Sequence, residues 1–285
     1  MKRVLRGRAA WLAAALTLAC AAGAWASEPP GLVIDVQGNA TLAGTRVAIL
    51  TGLPPGAEVT LAPAARVVVV HTQNGRQFEL IGPGAFRWTS GKVEVVRPGE
   101  LRVRESADAA FGDLRLRTGR IAQASISMRG APGESRLQLV SPASTWLLEP
   151  PRSFRWQPVT GAASYRFQLT DSNGKPLHEA RTSSSSVELP AGVALEAGRT
   201  YGWQVQADLA GGRAVDGWTE FGVAGPDLRA RVDRARPRAD ASFGDRLLYA
   251  LLLDELGMRE EAERFWTQLA RERPDDRDLA ARAQR

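Results

Sequence analysis

The chain has 285 residues, with 37 Lys and Arg against 31 Asp and Glu and a formal net charge of +6. Lys2, Arg3, Arg6 and Arg8 lie in the first eight residues, so a chain cut after Ala26 keeps 33 basic against 31 acidic residues and a net charge of +2. A nucleic-acid partner needs a concentrated basic stripe; basic and acidic residues alternate along this chain, which excludes that class.

The N-terminus predicts a secretory signal peptide over residues 1–26. A basic start is followed by an apolar run from Ala9 to Ala26 that ends Ala24-Trp25-Ala26, the order of a cleaved leader. The same run could instead be kept as a membrane anchor. Lipoprotein processing at Cys20 fits less well, because Thr17 stands where Leu is usual. Cys20 is the only cysteine, so the mature chain has no disulfide and no thiolate metal site. About 259 mature residues predict two or three modules, and no later stretch is long enough to span a membrane. The expected location is periplasmic or secreted.

The first module is expected over 31–105, as short strands at 32–37, 46–50, 57–61, 66–71, 76–81, 85–89, 92–96 and 101–104. Asn74-Gly75 predicts a tight type I′ hairpin, and Ser90-Gly91 a second turn. Val67 to Val70 has no polar alternation, which predicts a central strand covered on both faces. The order Thr51-Gly52-Leu53, Pro55-Gly56, Gln73-Asn74-Gly75 and Phe78-Glu79-Leu80-Ile81-Gly82-Pro83-Gly84 resembles the FecR domain, a periplasmic β module of bacterial signalling proteins. The resemblance implies a part in envelope signalling beside a membrane-embedded sensor. Iron-sensing members carry the domain beyond a membrane helix that leads back to a sigma-factor regulator, whereas here the apolar run before the module reads as a cleaved leader.

Residues 106–134 form a connecting segment without an assigned fold. The second module is expected over 135–224. Tyr165, Phe167 and Leu169 alternate with Arg166, Gln168 and Thr170, the pattern of a half-buried strand. Tyr201, Trp203, Val205 and Ala207 share one face of another. Leu195, Gly198 and Tyr201, together with Trp156 and the Gly161-to-Tyr165 block, resemble the fibronectin type III domain. There a Tyr hydroxyl ties the corner between the sheets. Ala197 and Arg199 depart from that motif.

The third piece, 227–285, is expected to be helical. Leu247, Leu248, Leu251, Leu252 and Leu256 recur at helical spacing before Gly257, and Ala262, Phe265, Trp266 and Leu269 line a second helix that Pro274 ends. Ala250, Leu256-Gly257, Ala262, Trp266 and Pro274 resemble a single tetratricopeptide-type hairpin. Asp275 to Arg285 could add a short helix through Leu279. One hairpin cannot bury its own apolar face. Leu252, Leu256, Phe265 and Trp266 therefore either dock on the β-sandwich of the same chain or offer a partner-binding groove.

The fold class expected is thus mainly β: a FecR-like module, a fibronectin III-like sandwich and a short α-helical hairpin. The chemistry expected is contact without catalysis. His71 and His178 fall in different modules, and the serine tract 182–186 has no nucleophile elbow. The carboxylate pairs Asp254-Glu255, Glu260-Glu261 and Asp275-Asp276 read as solvated helix faces. No cofactor or metal is implied. The leading expectation is an exported protein-interaction or signal-sensing module that partners an envelope or membrane protein. The alternative is a carbohydrate or peptidoglycan-binding module with Trp146 and Trp218 as stacking platforms.

Overall fold

A computed structural model describes residues 31–89, 91–104 and 136–284; the expected leader and the 106–134 connection lie outside them. The chain is mainly β, with several antiparallel sheets followed by a helical end. The first unit contains β1 (Gly31–Gln37), β2 (Ala40–Leu42), β3 (Thr45–Arg46), β4 (Gly52–Leu53), β5 (Glu58–Leu61), β6 (Arg66–His71), β7 (Gln77–Ile81), β8 (Gly84–Trp88), β9 (Val93–Arg97) and β10 (Glu100–Arg104). They form two five-stranded sheets, ordered β10-β7-β6-β1-β4 and β3-β2-β5-β8-β9.

β6 is the most enclosed of these strands, buried from Val67 through His71. Val67 and Val69 pack between the sheets with Val33, Phe78, Phe86 and Trp88. Val68 and Val70 face the other way, into a core shared with the helices. An apolar strand without alternation is the sequence form of a strand covered twice.

Two local expectations are corrected. Of the strand expected at 46–50, only the Thr45–Arg46 pair forms. Leu50 takes φ 66°, a left-handed conformation that breaks strand pairing, while Val47 and Ile49 still reach the core. Asn74-Gly75 does not make a two-residue turn. His71 donates its N–H to the carbonyl of Arg76, and Gly75 donates to the carbonyl of His71. The loop is longer because Asn74 caps it: its Oδ1 accepts the N–H of Arg76 at 3.0 Å. Only Gly75 of the pair has positive φ, whereas a type I′ turn needs both.

The second unit holds β11 (Leu139–Ser141), β12 (Thr145–Leu147), β13 (Ser153–Trp156), β14 (Ala162–Asp171), β15 (Pro176–Thr182), β16 (Ser186–Glu188), β17 (Thr200–Leu209) and β18 (Ala214–Val223). A small sheet, β11-β13-β16, faces a large one, β12-β18-β17-β14-β15. Phe154, Trp156, Tyr165, Phe167, Trp203 and Phe221 fill the space between them. The Tyr201 hydroxyl accepts the N–H of Glu196 at 2.7 Å, and the Trp203 indole donates to the Pro142 carbonyl at 2.7 Å.

Four helices close the chain: α1 (Pro226–Ala235), α2 (Phe243–Glu255), α3 (Arg259–Glu272) and α4 (Arg277–Arg282). The expected hairpin is α2 and α3, with Gly257 at φ 72° between them. The hairpin is extended on both sides. α1 lies within the piece expected to be helical, but only Leu228, Val232 and Ala235 of its charged segment are spaced for packing, too few to mark it as a separate helix. Pro226 at its first turn and Asp227 beside it were the readable start signals. α4 is capped by Asp276, whose side chain accepts from the N–H groups of Asp278 and Leu279.

The helices join both β units. α2 approaches β1 so closely that a Cβ at Gly244 would lie 2.8 Å from Ile34 Cδ1. Gln77 donates to Asp245 at 2.8 Å. Buried Asp35 receives Arg66 at 2.7 Å and Arg273 at 3.2 Å, and the Arg273 guanidinium lies 4.6 Å from the Phe243 ring centre. On the other side, the free edge of β12 is capped where the backbone N–H of Trp146 donates to the Gly257 carbonyl at 3.0 Å. Arg229 of α1 binds Glu149 at 2.7 Å and also the Leu148 carbonyl.

Candidate functional site

The alternation in β14, β17 and β18 divides their residues cleanly. Tyr165, Phe167, Leu169, Trp203 and Val205 are buried between the sheets. Arg166, Gln168, Gln204, Gln206, Asp216 and Trp218 point to the outer face, as period-two geometry demands. In register across the strands, Glu179 pairs with Gln168, Gln168 with Gln204, and Gln204 with Trp218. One row of side chains therefore crosses β15, β14, β17 and β18.

Trp218 is 61% exposed, the most exposed large hydrophobic residue among the described residues. Its indole lies across the neighbouring strand at Gly202. A Cβ there would stand 3.3 Å from Trp218 Nε1, 3.7 Å from Cζ2 and 3.1 Å from Thr170 Oγ1. The absent side chain at Gly202 is what lets the ring settle against the sheet.

The rest of the row is ordered by hydrogen bonds that run in one direction. Gln204 Nε2 donates to Gln168 Oε1 at 2.7 Å, and Gln168 Nε2 donates to Glu179 Oε1 at 2.7 Å. In the next row, Arg166 and Arg181 both reach Asp208, at 2.9 and 3.5 Å. The hydrogen bond from Arg166 holds the Asp208 carboxyl below its ordinary pKa, helped by Ser164 and the charge of Arg181. Between these rows runs a shallow trough of about 610 Å³, lined by Arg166, Gln168, Glu179, Arg181, Gln204 and Asp216.

The residues anticipated from sequence fall in two places. Leu252 and Trp266 are closed off inside the core, and Leu256 and Phe265 are half-buried at its margin. That core includes Leu32, Ile34, Val68 and Val70 of the first unit. Trp266 also donates to Asp254 at 3.0 Å and carries the Arg282 guanidinium 4.8 Å above its ring. Phe265 meets Tyr249 edge-on at 4.8 Å. Trp146 and Trp218 share the outer face of the large sheet but not its environment. Trp146 is half-buried over Gly222 beside the α2–α3 turn, and only Trp218 stands open.

Sequence reasoning did not single out Gln168, Glu179, Gln204 or Asp216. Their alternation marked an outer face. Which of them meet across strands is set by long-range register, which no local pattern carries.

Elsewhere, His71 is buried, its Nδ1 accepting the Gln73 N–H at 3.2 Å, and burial lowers its pKa. His178 lies on the inner side of β15, 6.0 Å from the Phe167 ring centre. A second concavity, about 790 Å³, separates the second unit from the helices. Its charges largely pair among themselves, as Arg229 with Glu149 and Arg264 with Glu261. Among the described residues, no cluster of three or more His, Cys, Asp or Glu could hold a metal ion. No helix there is long and apolar enough to cross a membrane.

No family model and no curated protein matches the chain. Among solved structures it is similar to the crystal structure of CopC from Methylosinus trichosporium OB3b, at 20% identity and a TM-score of 0.26. That match covers 32% of this chain and 96% of the other. A likeness this slight has no bearing on function.

Proposed function

We propose that the chain is an exported, non-catalytic recognition module of the cell envelope, one that reads a ligand by contact and relays the event to a membrane-held sensor. Export rests on the N-terminal leader pattern, and the signalling role on the resemblance of the first module to FecR domains. The observation that carries the recognition part is the open outer face of the large sheet. There a solvent-facing aromatic and a hydrogen-bonded row of polar side chains stand on a rigid scaffold. Aromatic side chains are enriched among the residues that dominate binding at contact surfaces, and here one stands beside an ordered polar row rather than alone. A core shared between helices and the first β unit, with Trp146 and Leu148 packed against it, gives such a module the stiffness to pass on a binding event.

The test is photo-crosslinking in intact cells, with a reactive amino acid at position 204 or 218 and a control at exposed Val103. Adducts are expected in the envelope fraction from positions 204 and 218 and not from 103. Equal labelling at all three positions, or none at 204 and 218, removes the proposal.

A further inference from the structure

The open face has a shape and a chemistry that select among ligands. Aromatic anchors of protein interfaces usually insert into a pocket of the partner. Trp218 stands differently: the Nε1–Cζ2 edge of its indole rests over Gly202 while the residue stays 61% exposed. A flat, exposed ring offers a platform to another flat, weakly polar surface, which the C–H face of a pyranose provides.

The neighbouring groups suit hydroxyls. Gln204 commits one of its two amide N–H groups to Gln168, and Gln168 one of its two to Glu179. Gln204 Oε1 and the second carboxylate oxygen of Glu179 are left as acceptors, and Asp216 adds another on the trough wall. Arg166 and Arg181 both reach Asp208, and Glu179 and Asp216 line the same trough, so three carboxylates stand against two guanidinium groups and the face is not a cationic trap for phosphate or a polyanion. The row from Glu179 to Trp218 spans three inter-strand spacings, roughly 14 Å at about 4.8 Å each. One spacing is close to the length of one β-linked pyranose residue.

We infer that this face binds a glycan strand of the cell wall, with Trp218 stacked on one pyranose ring and Gln204, Glu179 and Asp216 accepting hydrogen bonds from hydroxyls along the chain. The inference rests on this face being the recognition surface proposed above. Thr170 and Gly202 act as positioning residues that seat the Nε1–Cζ2 edge of the indole.

The experiment uses the full mature chain and two probes: purified peptidoglycan sacculi in a sedimentation assay, and the β-1,4-linked tetramer of N-acetylglucosamine followed by tryptophan fluorescence. Wild type is expected to sediment with sacculi and to respond to the tetramer. Trp218→Ala lowers sacculus affinity about tenfold or more, the loss of a stacking contact worth about 1.4 kcal/mol, with the melting midpoint unchanged. Trp218→Phe recovers part of the affinity, and Gln204→Ala lowers it by less than Trp218→Ala. Undiminished sedimentation of Trp218→Ala overturns the inference. If wild type ignores both probes while crosslinks at position 204, where Trp218 is retained, lead to a protein, the glycan assignment falls and the recognition face stands. If wild type ignores both probes and position 204 also gives no adduct, both fall.

Discussion

Each β unit contains a five-stranded sheet packed on one face against a second sheet, and the two units treat the outer face of that sheet in opposite ways. In the first, β6 lies between an opposing sheet on one side and the helices on the other, and its four valines are all buried. In the second, β14 and β17 bury every other residue, and the alternate residues meet solvent. The helices cover one sheet face and only the β12 margin of the other. The difference separates two kinds of aromatic residue. Trp266 is an internal strut of the covered region, while Trp218 is a large apolar side chain standing on an uncovered face.

The comparison breaks most severely if the helical cover is removed. Trp266→Ala is expected to lower stability by about 3–5 kcal/mol, the cost of deleting a large buried side chain and leaving a cavity. Urea unfolding followed by circular dichroism measures it. Because the core joins helices and first sheet, both are expected to unfold in one transition at a lower midpoint. A normal midpoint would mean that the helical end contributes little to holding the first unit.

A smaller effect probes the docking contact itself. Gly244→Val places methyl groups where a Cβ alone would come within 2.8 Å of Ile34. The expected cost is about 1–3 kcal/mol, typical of overpacking. Pairing it with Ile34→Ala opens space beneath the new side chain, so the double variant should lose less than the two single losses added together. Strict additivity would show that α2 does not bear on β1 at this point.

The covered and open regions also differ in how they answer to acid. Glu272 of α3 is held below its ordinary pKa, first by a hydrogen bond from Arg246 of α2 and then by the charges of Arg246 and Arg273. A carboxyl depressed in the folded state adds stability that is present above the unfolded value, 4.5, and lost as pH falls through the folded one. Glu272→Gln should therefore flatten the decline in stability from neutral pH down through that range. Asp208, also depressed, sits on the open face, where solvent screens the pair. Asp208→Asn should change the slope less, and the reverse order would contradict the division drawn between the two regions.

Much of this division is legible in the residues. Val67 to Val70, unbroken by a polar side chain, announces a strand covered twice. Arg166, Gln168 and Thr170, interleaved with aromatics, announce a strand covered once. The apolar faces of α2 and α3 show that something must cover them. What covers them is not written locally: Ile34 and Gly244 are 210 residues apart, and their contact follows from the assembly of the whole chain. The same holds for the site. Trp218 stands out in the sequence, but Gly202 beneath it and Gln204 beside it come from cross-strand register. The Asn74-Gly75 turn shows the converse, a local signal outweighed when the Asn74 side chain bonds its own loop.

The smallest expected effect decides the most. Trp218→Ala should change unfolding stability by no more than about 0.5 kcal/mol, as for an exposed site away from caps and cores. Set beside Trp266→Ala, it compares the same substitution in the same chain with opposite burial. If Trp218→Ala proves nearly as costly, the indole is holding Gly202 and Thr170 in place, and its exposure is incidental to a structural task. If the cost is negligible, the fold gives no reason for an indole at this position. A solvent-facing aromatic that stability does not require points to a ligand that does, and a loss of binding without a loss of stability is what would identify it.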